Sequence, residues 1–259
     1  MDKFNTISAF ATLIFFIVFQ AGAQQADSKS FEFGQPSGAF TTGFGAVSSK
    51  TLYDSSFKTS FVPYLRYKAN DVTIGVAEGV SYQFLSNYNF SASVAIKPRF
   101  APYDDGDTTA LRGMKRNSSF DLSVKTELDV VRGTSVLLGE STEFTGEHGG
   151  QEFDLALRQF IHGLGTPFFI TAGVKHQNEK LASFLYGVQA SEQLSNRPSY
   201  NPRSVFMAFI STNAMYSVTE RISLFGNAGL TFYPTKLLDS PIINEHTSFN
   251  LVGGVAFTF

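Results

Sequence analysis

The chain has 259 residues, no Cys and no Trp, and its 20 basic and 22 acidic residues give a formal net charge of −2. The balanced charge argues against general nucleic-acid binding, and the lack of Cys excludes disulfides, thiolate metal ligands and a cysteine nucleophile. Aromatic residues make up 15% of the chain and charged residues 16%, below the roughly 25% of ordinary soluble domains. Many aromatic and few charged residues, without a second long apolar run, favour a membrane-spanning β-barrel.

The first segment of the chain has the layout of a secretory signal peptide. Lys3 precedes the apolar run AFATLIFFIVFQAGA, in which Ala21 and Ala23 form a small-x-small cleavage site. The run is short for a bilayer span, which requires about 20 apolar residues. We therefore predict a signal peptide over residues 1–23 and an outer-membrane β-barrel over residues 24–259, with an uncleaved amphipathic anchor as the alternative.

The mature chain contains repeated segments in which apolar and polar residues alternate. The clearest is SFDLSVKTELDVV, where Phe120, Leu122 and Val124 alternate with Asp121 and Ser123. A helix repeats every 3.6 residues and would not separate these residues, so the pattern predicts strands. Eleven such segments lie near 40–48, 57–68, 72–85, 89–101, 118–131, 134–145, 151–162, 167–176, 203–217, 220–233 and 246–259.

Eleven strands would be unusual, because bacterial single-chain barrels normally have an even number. The stretch SKSFEFG near 29–34 supplies a twelfth segment. We therefore predict an all-β, transmembrane, antiparallel up-and-down β-barrel of twelve strands, with ten as the alternative. An even number places both termini in the periplasm of a bacterium, the short turns on that side and the long loops outside.

The last segment, SFNLVGGVAFTF, ends the chain with an aromatic residue. Its apolar face is predicted to point to lipid, with the final residue in the aromatic girdle at the periplasmic interface. This face also resembles the C-terminal signal that the barrel assembly machinery reads in known outer-membrane proteins. The predicted partners therefore include that machinery, outer-membrane lipids and lipopolysaccharide. The residues of this predicted assembly signal are Phe249, Leu251, Val255, Phe257 and Phe259.

Residues with the chemistry for catalysis or metal binding are sparse. The chain lacks a His-x-Ser or Gly-x-Ser-x-Gly stretch, and its acidic run at Asp104, Asp105 and Asp107 lacks the closing Glu of a calcium loop. Glu78 falls on the apolar face of its predicted strand, which indicates a bulge at Gly79 or a position near the interface. We predict no enzymatic activity, cofactor or metal. The four histidines, expected to be polar residues of loops and strand ends, are His148, His162, His176 and His246.

Four short runs, in chain order, resemble the MipA/OmpV family of outer-membrane barrels. They are VPYLRY at 62–67, ALRGM at 110–114, YGVQASE with RPSYNP within 186–202, and DSPIINEH before the last strand. The resemblance covers nearly the whole mature chain. One departure is Asp54 in KTLYDSSF, which replaces the glycine of a tyrosine-glycine-serine element in that family.

The resemblance implies a scaffold that brings a membrane-bound lytic transglycosylase and a murein synthase together. A small porin-like channel and an adhesin are the alternatives. Unpaired charges in the lumen and a loop constriction would favour the channel, whereas charges paired across the lumen would count against it. Candidate partner-contact residues lie in two long loops, at Tyr186, Arg197, Tyr200, Asn201, Ser240 and Pro241.

Overall fold

Alternating side chains and the pairing of the last strand with the first close this chain into a barrel. The computed structural model describes residues 38–163 and 166–259. Each strand pairs antiparallel with its neighbours in sequence, and the last pairs with the first, so the predicted twelve-stranded barrel is confirmed. The strands are β1 (Ala39–Lys50), β2 (Lys58–Ala69), β3 (Val72–Gly75), β4 (Gly79–Ser86), β5 (Phe90–Arg99), β6 (Ser119–Val131), β7 (Thr134–Glu143), β8 (Gln151–Gly163), β9 (Thr166–Gln177), β10 (Val205–Ser217), β11 (Ile222–Phe232) and β12 (Thr247–Thr258).

The two-residue alternation separates a lipid-facing surface from a polar lumen. In β6, Phe120 and Leu122 are exposed on the outside, while Asp121 and Ser123 are buried inside. Glu140 of β7 is exposed on the outer face and Glu143 is buried, so these two carboxylates point to opposite faces as the alternation predicts. Outward apolar and inward polar residues are the reverse of a soluble barrel and suit a hydrocarbon surround.

Within residues 38–163 and 166–259, the loops contain one helix and three short 3-10 turns. The helix, α1 (Glu179–Tyr186), begins after Asn178, whose side chain accepts a hydrogen bond from the Leu181 backbone N–H. None of the helices in the described residues is long and apolar enough to cross a membrane. The 3-10 turns span Thr109–Leu111, Ala190–Glu192 and Thr235–Asp239.

The twelfth strand arises differently from the sequence prediction. The stretch at 29–34 lies outside the described residues, and the single strand expected over 72–85 is instead the hairpin of β3 and β4. The expectation of one strand was wrong because the alternation continues through the turn at Val76–Glu78. Gly79 allows the reversal, since its φ of +69° is left-handed and an added Cβ would lie 2.0 Å from the Ile96 carbonyl oxygen.

Glu78 lies in this hairpin turn and points into the lumen. Its side chain is 6% exposed and one carboxylate oxygen lies 3.9 Å from the Arg66 Nε. Buried Lys97 is a second cation close enough to interact with it. Gly79 therefore redirects Glu78 away from lipid, as the prediction required, but through a chain reversal and not through a bulge. These buried charges therefore join the turn of the β3–β4 hairpin to β2 and β5.

The barrel has a short-turn end and a long-loop end. Residues 70–71, 87–89, 132–133 and 218–221 make short connections at one end, where β1 also starts and β12 ends. At the opposite end, the β3–β4 turn at 76–78 is also short, whereas the other described connections are longer. In outer-membrane barrels the short turns normally face the periplasm. The periplasmic position of the termini stays a prediction.

Replacing Glu78 with Ala should destabilise the barrel. The change leaves buried Arg66 and Lys97 without the carboxylate that they share, and loss of one partner from a buried ion pair costs about 3 kcal/mol. We expect a corresponding decrease in the free energy of unfolding, measured by urea titration in lipid vesicles. Glu220→Ala, at an exposed site in a short turn, is the control. Equal unfolding midpoints for the two variants would contradict the role assigned to Glu78.

Candidate functional site

Charged side chains in the outer half of the lumen form a connected series across β5, β6, β8 and β9. Arg99 places Nη2 2.5 Å from Asp121 Oδ2 and Nη1 4.0 Å from Glu152 Oε2. Lys175 Nζ lies 3.3 Å from the other carboxylate oxygen of Glu152. The four groups alternate in sign, so each of these largely buried charges has an opposite neighbour.

This series continues from the lumen into the loops above it. Gln177 Nε2 donates to Glu152 Oε2 over 2.7 Å, and Tyr186 Oη donates to Gln177 Oε1 over 3.0 Å. Gln177 ends β9 and Tyr186 ends α1. The barrel wall and the longest loop therefore share one hydrogen-bond network.

Nearer the short-turn end, a second group of side chains fills the lumen. Arg158 forms a close ion pair with Glu127, and its guanidinium carbon lies 5.0 Å from the centre of the Phe169 ring. The Phe160 and Phe169 ring centres are 5.0 Å apart. Phe160 is partly buried in this lumen cluster. Gln159 lies on the exposed outer face.

Packed loops cover the outer mouth of the barrel. Residues 51–57, 100–118, 178–204 and 233–246 form this cover, which we call the outer cap. Below it, the lumen contains a cavity of about 190 Å³ that is lined by both polar and apolar side chains. The buried apolar core of the outer cap, together with the ends of β10, consists of Leu52, Tyr53, Tyr103, Leu111, Met114, Ala182, Tyr186, Val188, Val205, Met207, Leu237, Ile242 and Ile243.

Polar contacts inside the outer cap fasten its loops to one another. Burial raises the pKa of the Tyr53 hydroxyl well above its usual value, so this group stays neutral and donates to the Leu185 carbonyl over 2.8 Å. Ser240 Oγ donates to the Tyr186 carbonyl over 2.7 Å, and Asn244 Nδ2 donates to the Tyr53 carbonyl over 2.8 Å. These three bonds join the loops at 51–57, 178–204 and 233–246.

Two arginines connect the β5–β6 loop to the β9–β10 loop. Arg116, with a side chain only 4% exposed, donates from both terminal nitrogens to Glu192, at 2.5 and 3.0 Å. Arg197 donates to the carbonyls of Ala110 and Arg112, at 2.7 and 2.9 Å, and also to the Glu192 carbonyl. Bidentate pairing of this kind adds geometric specificity to the charge interaction.

The six predicted partner-contact residues have unequal access to solvent. Tyr186, Arg197 and Ser240 are buried, and their polar groups bind within the outer cap. Tyr200 and Pro241 are partly buried, while Asn201 is exposed. Direct contact with a partner stays a prediction. The accessible residues Asn201, Tyr200 and Pro241 are the ones that could make it.

The predicted C-terminal assembly signal forms the outer face of β12. Strand β12 is paired along its length with β1 and β11, and the Phe259 backbone N–H donates to the Phe40 carbonyl over 2.8 Å. Phe259 itself is 75% exposed. Recognition of this face by the assembly machinery stays a prediction. By strand alternation, the same outward face carries Phe249, Leu251, Val255 and Phe257.

One histidine, His148, lies within hydrogen-bonding distance of a serine side chain. His148 Nε2 lies 3.4 Å from Ser119 Oγ, a contact that sequence spacing did not reveal because the residues belong to different elements. Burial and then the charge of Arg99 lower the pKa of His148, which keeps the ring neutral at pH 7. Nδ1 accepts the Gly150 backbone N–H, so the ring proton lies on Nε2, which faces the serine. The ring therefore donates to Ser119 and does not present it with a base.

The other predicted polar sites are partly buried or exposed where they are described, and the side chain of His162 lies outside the described part of the structure. His176 stacks on Phe206 with ring centres 4.3 Å apart, and His246 is exposed. Asp107, from the acidic run, contacts Lys58 Nζ at 2.6 Å. The described residues contain no group of three His, Asp or Glu side chains that could hold a metal ion.

Sequence comparisons place the chain among outer-membrane proteins. The family model described as "MltA-interacting protein MipA" matches residues 42–259. Outer membrane protein YiaT of Escherichia coli (strain K12) is 32% identical over 88 residues, which cover 34% of this chain and only 36% of YiaT. Outer membrane protein Omp26La of Vibrio anguillarum is 21% identical over 233 residues, covering 86% of this chain and 87% of that protein.

A structural comparison finds another bacterial barrel. The translocator domain of the autotransporter NalP from Neisseria meningitidis aligns over 98% of both chains, with a TM-score of 0.40 and 9% identity.

Replacing Arg116 with Met should loosen the outer cap. Loss of hydrogen bonds to a charged partner costs roughly 2 kcal/mol, which makes local opening roughly 30-fold more frequent. We expect chymotrypsin to cleave after the buried Tyr103 and Tyr186 faster by about that factor in the folded protein. Arg203→Met, at an exposed site in the same cap, is the matched control. Equal cleavage rates in the two variants would contradict the role of Arg116.

Acid should also open the outer cap. Burial raises the pKa of Glu192, but the hydrogen bonds from Arg116 outweigh it, so the pKa lies below its usual value of 4.5. The stabilisation is therefore complete above pH 4.5 and is lost as the pH falls through the lower pKa of the folded protein. We expect deuterium exchange in residues 178–204, corrected for intrinsic rates, to increase at pH 3 relative to pH 7. Glu192→Gln should exchange faster at pH 7 and change less with acid.

Proposed function

This chain belongs to the MipA family of outer-membrane β-barrel proteins, and from that premise we propose that it is a scaffold for murein-remodelling enzymes. The observation that carries the proposal is the match of a family described as "MltA-interacting protein" to residues 42–259. Its first partner is a membrane-bound lytic transglycosylase, and its second is a murein synthase. The barrel anchors these enzymes at the membrane and performs no chemistry itself.

The lumen supports a scaffold more than a porin-like channel. Arg99, Asp121, Glu152 and Lys175 are connected in series, and the outer cap covers the mouth above them. A selective channel needs binding groups that ions can reach and leave. Charged side chains that already pair with one another are less available to bind passing ions.

The short-turn end is the surface that suits a murein enzyme. Murein lies on the periplasmic side, where short turns are expected, and the outer cap would then be out of reach. Tyr88 is fully exposed in the loop after β4, and Val218 is 51% exposed in the turn after β10. The two turns lie six strands apart in the barrel, so these side chains offer separate apolar contacts to a protein that spans the rim.

The predicted loop contacts favour a different kind of partner. Asn201, Tyr200 and Pro241 lie in the outer cap, at the end opposite Tyr88 and Val218. If they contact a partner, it approaches from outside the cell, as the adhesin alternative requires. The scaffold proposal therefore assigns the enzyme contact to the short-turn end. The predicted contacts with lipopolysaccharide and with the assembly machinery remain separate proposals about the outer face.

Affinity capture with variants at the two ends tests this proposal. We expect the tagged protein to retain a lytic transglycosylase from detergent-solubilised envelopes well above an unrelated barrel. Changing Tyr88 and Val218 to Ser should reduce that capture about ten-fold, because two buried apolar contacts contribute more than 1.4 kcal/mol to binding. The matched control changes Asn201 and Pro241 to Ser at the opposite end, and should capture as much enzyme as the unchanged protein.

Two results would count against the proposal. Capture no higher than that of the unrelated barrel would overturn the scaffold role itself. Capture lost only in the control pair would move the contact to the outer cap and favour an external partner. Ion conductance by single reconstituted molecules would support the channel alternative.

A further inference from the structure

Below the outer cap, two different rows of residues face the cavity of about 190 Å³. Strand register places one set side by side across β9, β10, β11, β12 and β1. This set, which we call the neutral row, consists of Thr171, Ser211, Gly229, Asn250 and Ser49. A second set of register partners, which we call the charged row, crosses β6 to β9 and consists of Lys125, Gly139, Asp154 and Lys175.

A glycine in each row leaves room for one hydrogen-bond acceptor. An added Cβ at Gly139 would lie 2.2 Å from Asp154 Oδ1, and one at Gly229 would lie 2.4 Å from Asn250 Oδ1. Each acceptor side chain therefore lies over the backbone of the neighbouring strand, in space that a Cβ would fill. The two glycines thus determine where Asp154 and Asn250 present their oxygen atoms to the cavity.

These acceptors and the hydroxyls around them have unused hydrogen-bonding capacity. Asn250 Nδ2 donates to Asn227 Oδ1 over 2.7 Å, but Asn250 Oδ1 accepts no hydrogen bond from the described residues. The charge of Lys175 attracts the Asp154 carboxylate, which within residues 38–163 and 166–259 forms no hydrogen bond or ion pair. Lining hydroxyls that form no hydrogen bond in that part of the chain are those of Ser49, Ser123, Ser141, Thr171 and Ser211. Because buried polar groups need partners, the cavity suits a molecule that supplies several hydrogen bonds.

Aromatic rings give the same cavity an apolar side. Phe209 of β10 lines it, and the centre of its ring lies 5.5 Å from Lys175 Nζ. Tyr186 and Tyr233 border the cavity at the outer cap, with ring centres 6.1 Å apart. Water gains little from a ring face, whereas the carbon-bound hydrogens of a ligand pack against it. The lining therefore suits a ligand that carries both hydroxyls and carbon-bound hydrogens.

We propose that this cavity binds a neutral monosaccharide, independently of the proposed enzyme scaffold. Sugar hydroxyls both donate and accept, so they match the neutral row and Asp154, while the C–H face of the ring packs on Phe209. One water occupies roughly 30 Å³ in the liquid, so the cavity corresponds to about six waters, close to the volume of one sugar ring. The lining carries Lys125 and Lys175 as well as Asp154, so an uncharged ligand avoids repulsion from either sign.

The cavity is connected to the short-turn end of the barrel. A smaller space of about 40 Å³ adjoins it, because Ser123 and Lys125 line both. That space extends to Asn70 and Asp71 in the turn after β2. A sugar that enters from this end displaces the long Lys125 side chain, and the outer cap stays closed.

Saturation-transfer NMR on the folded protein measures this binding directly. The protein is kept in an amine-oxide detergent, because detergents with sugar headgroups would compete for the cavity. The probes are glucose, galactose, mannose, xylose and N-acetylglucosamine, each titrated to about 10 mM, above the roughly 1 mM dissociation constant expected for so small a ligand. Asp154→Asn keeps the shape of the side chain and removes its charge, and Phe209→Leu removes the ring. Glu140→Gln, on the outer face of the neighbouring strand β7, is the matched control.

We expect at least one of these sugars to bind. Asp154→Asn and Phe209→Leu should each weaken its binding about ten-fold, while Glu140→Gln leaves it unchanged, because hydrogen bonds to a charged acceptor are roughly twice as strong as neutral ones. Circular dichroism verifies that each variant is folded before it is compared.

Three results would overturn the proposal. The first is that none of the five sugars gives a signal with the unchanged protein. The second is equal binding to the unchanged protein, Asp154→Asn and Phe209→Leu, which would place the sugar outside the cavity. The third is binding of glucuronate in place of the neutral sugars, which would indicate an anion site at the lumen lysines.

Discussion

The requirement that every backbone polar group in a membrane finds a partner governs this structure. Water is absent from the hydrocarbon region, so a sheet can cross it only when its first and last strands join. Here β1 and β12 pair from Thr41 with Thr258 to Lys50 with Phe249. Glycine makes this seam possible at Gly43, where an added Cβ would lie 2.1 Å from the Val255 carbonyl oxygen.

Closure of the barrel directs the polar side chains of every strand into the lumen. There they need hydrogen-bond or ion-pair partners. Ion pairs join β5 to β8, and an amide ladder joins Asn213, Asn227 and Asn250 across β10, β11 and β12. Such contacts consume the space that a wide pore would need. Surfaces at the two ends therefore offer this protein its opportunities for interaction with other proteins. The proposed murein scaffold uses the short-turn end.

The fold could be predicted from the sequence because alternation reports directly which face of a strand meets lipid. The strand prediction failed at 72–85, where Val76 and Val80 keep the two-residue spacing on either side of Glu78 while the chain reverses before Gly79, which has a positive φ. The outer cap was harder to predict. Tyr186, Arg197 and Ser240 are typical of exposed loops by composition, yet they are buried by contacts between loops far apart in sequence. Pairings such as Arg116 with Glu192 have no local pattern that reveals them.

The outer cap has a consequence for the order of folding. Tyr53 and Asn244, joined within it, are separated by 191 residues. Contacts of such long range are costly to close before the intervening strands are in place, because loop-closure entropy opposes them. The cap core can therefore form only after the barrel is complete. A partly inserted chain lacks this surface, so molecules that recognise the finished cap would ignore immature proteins.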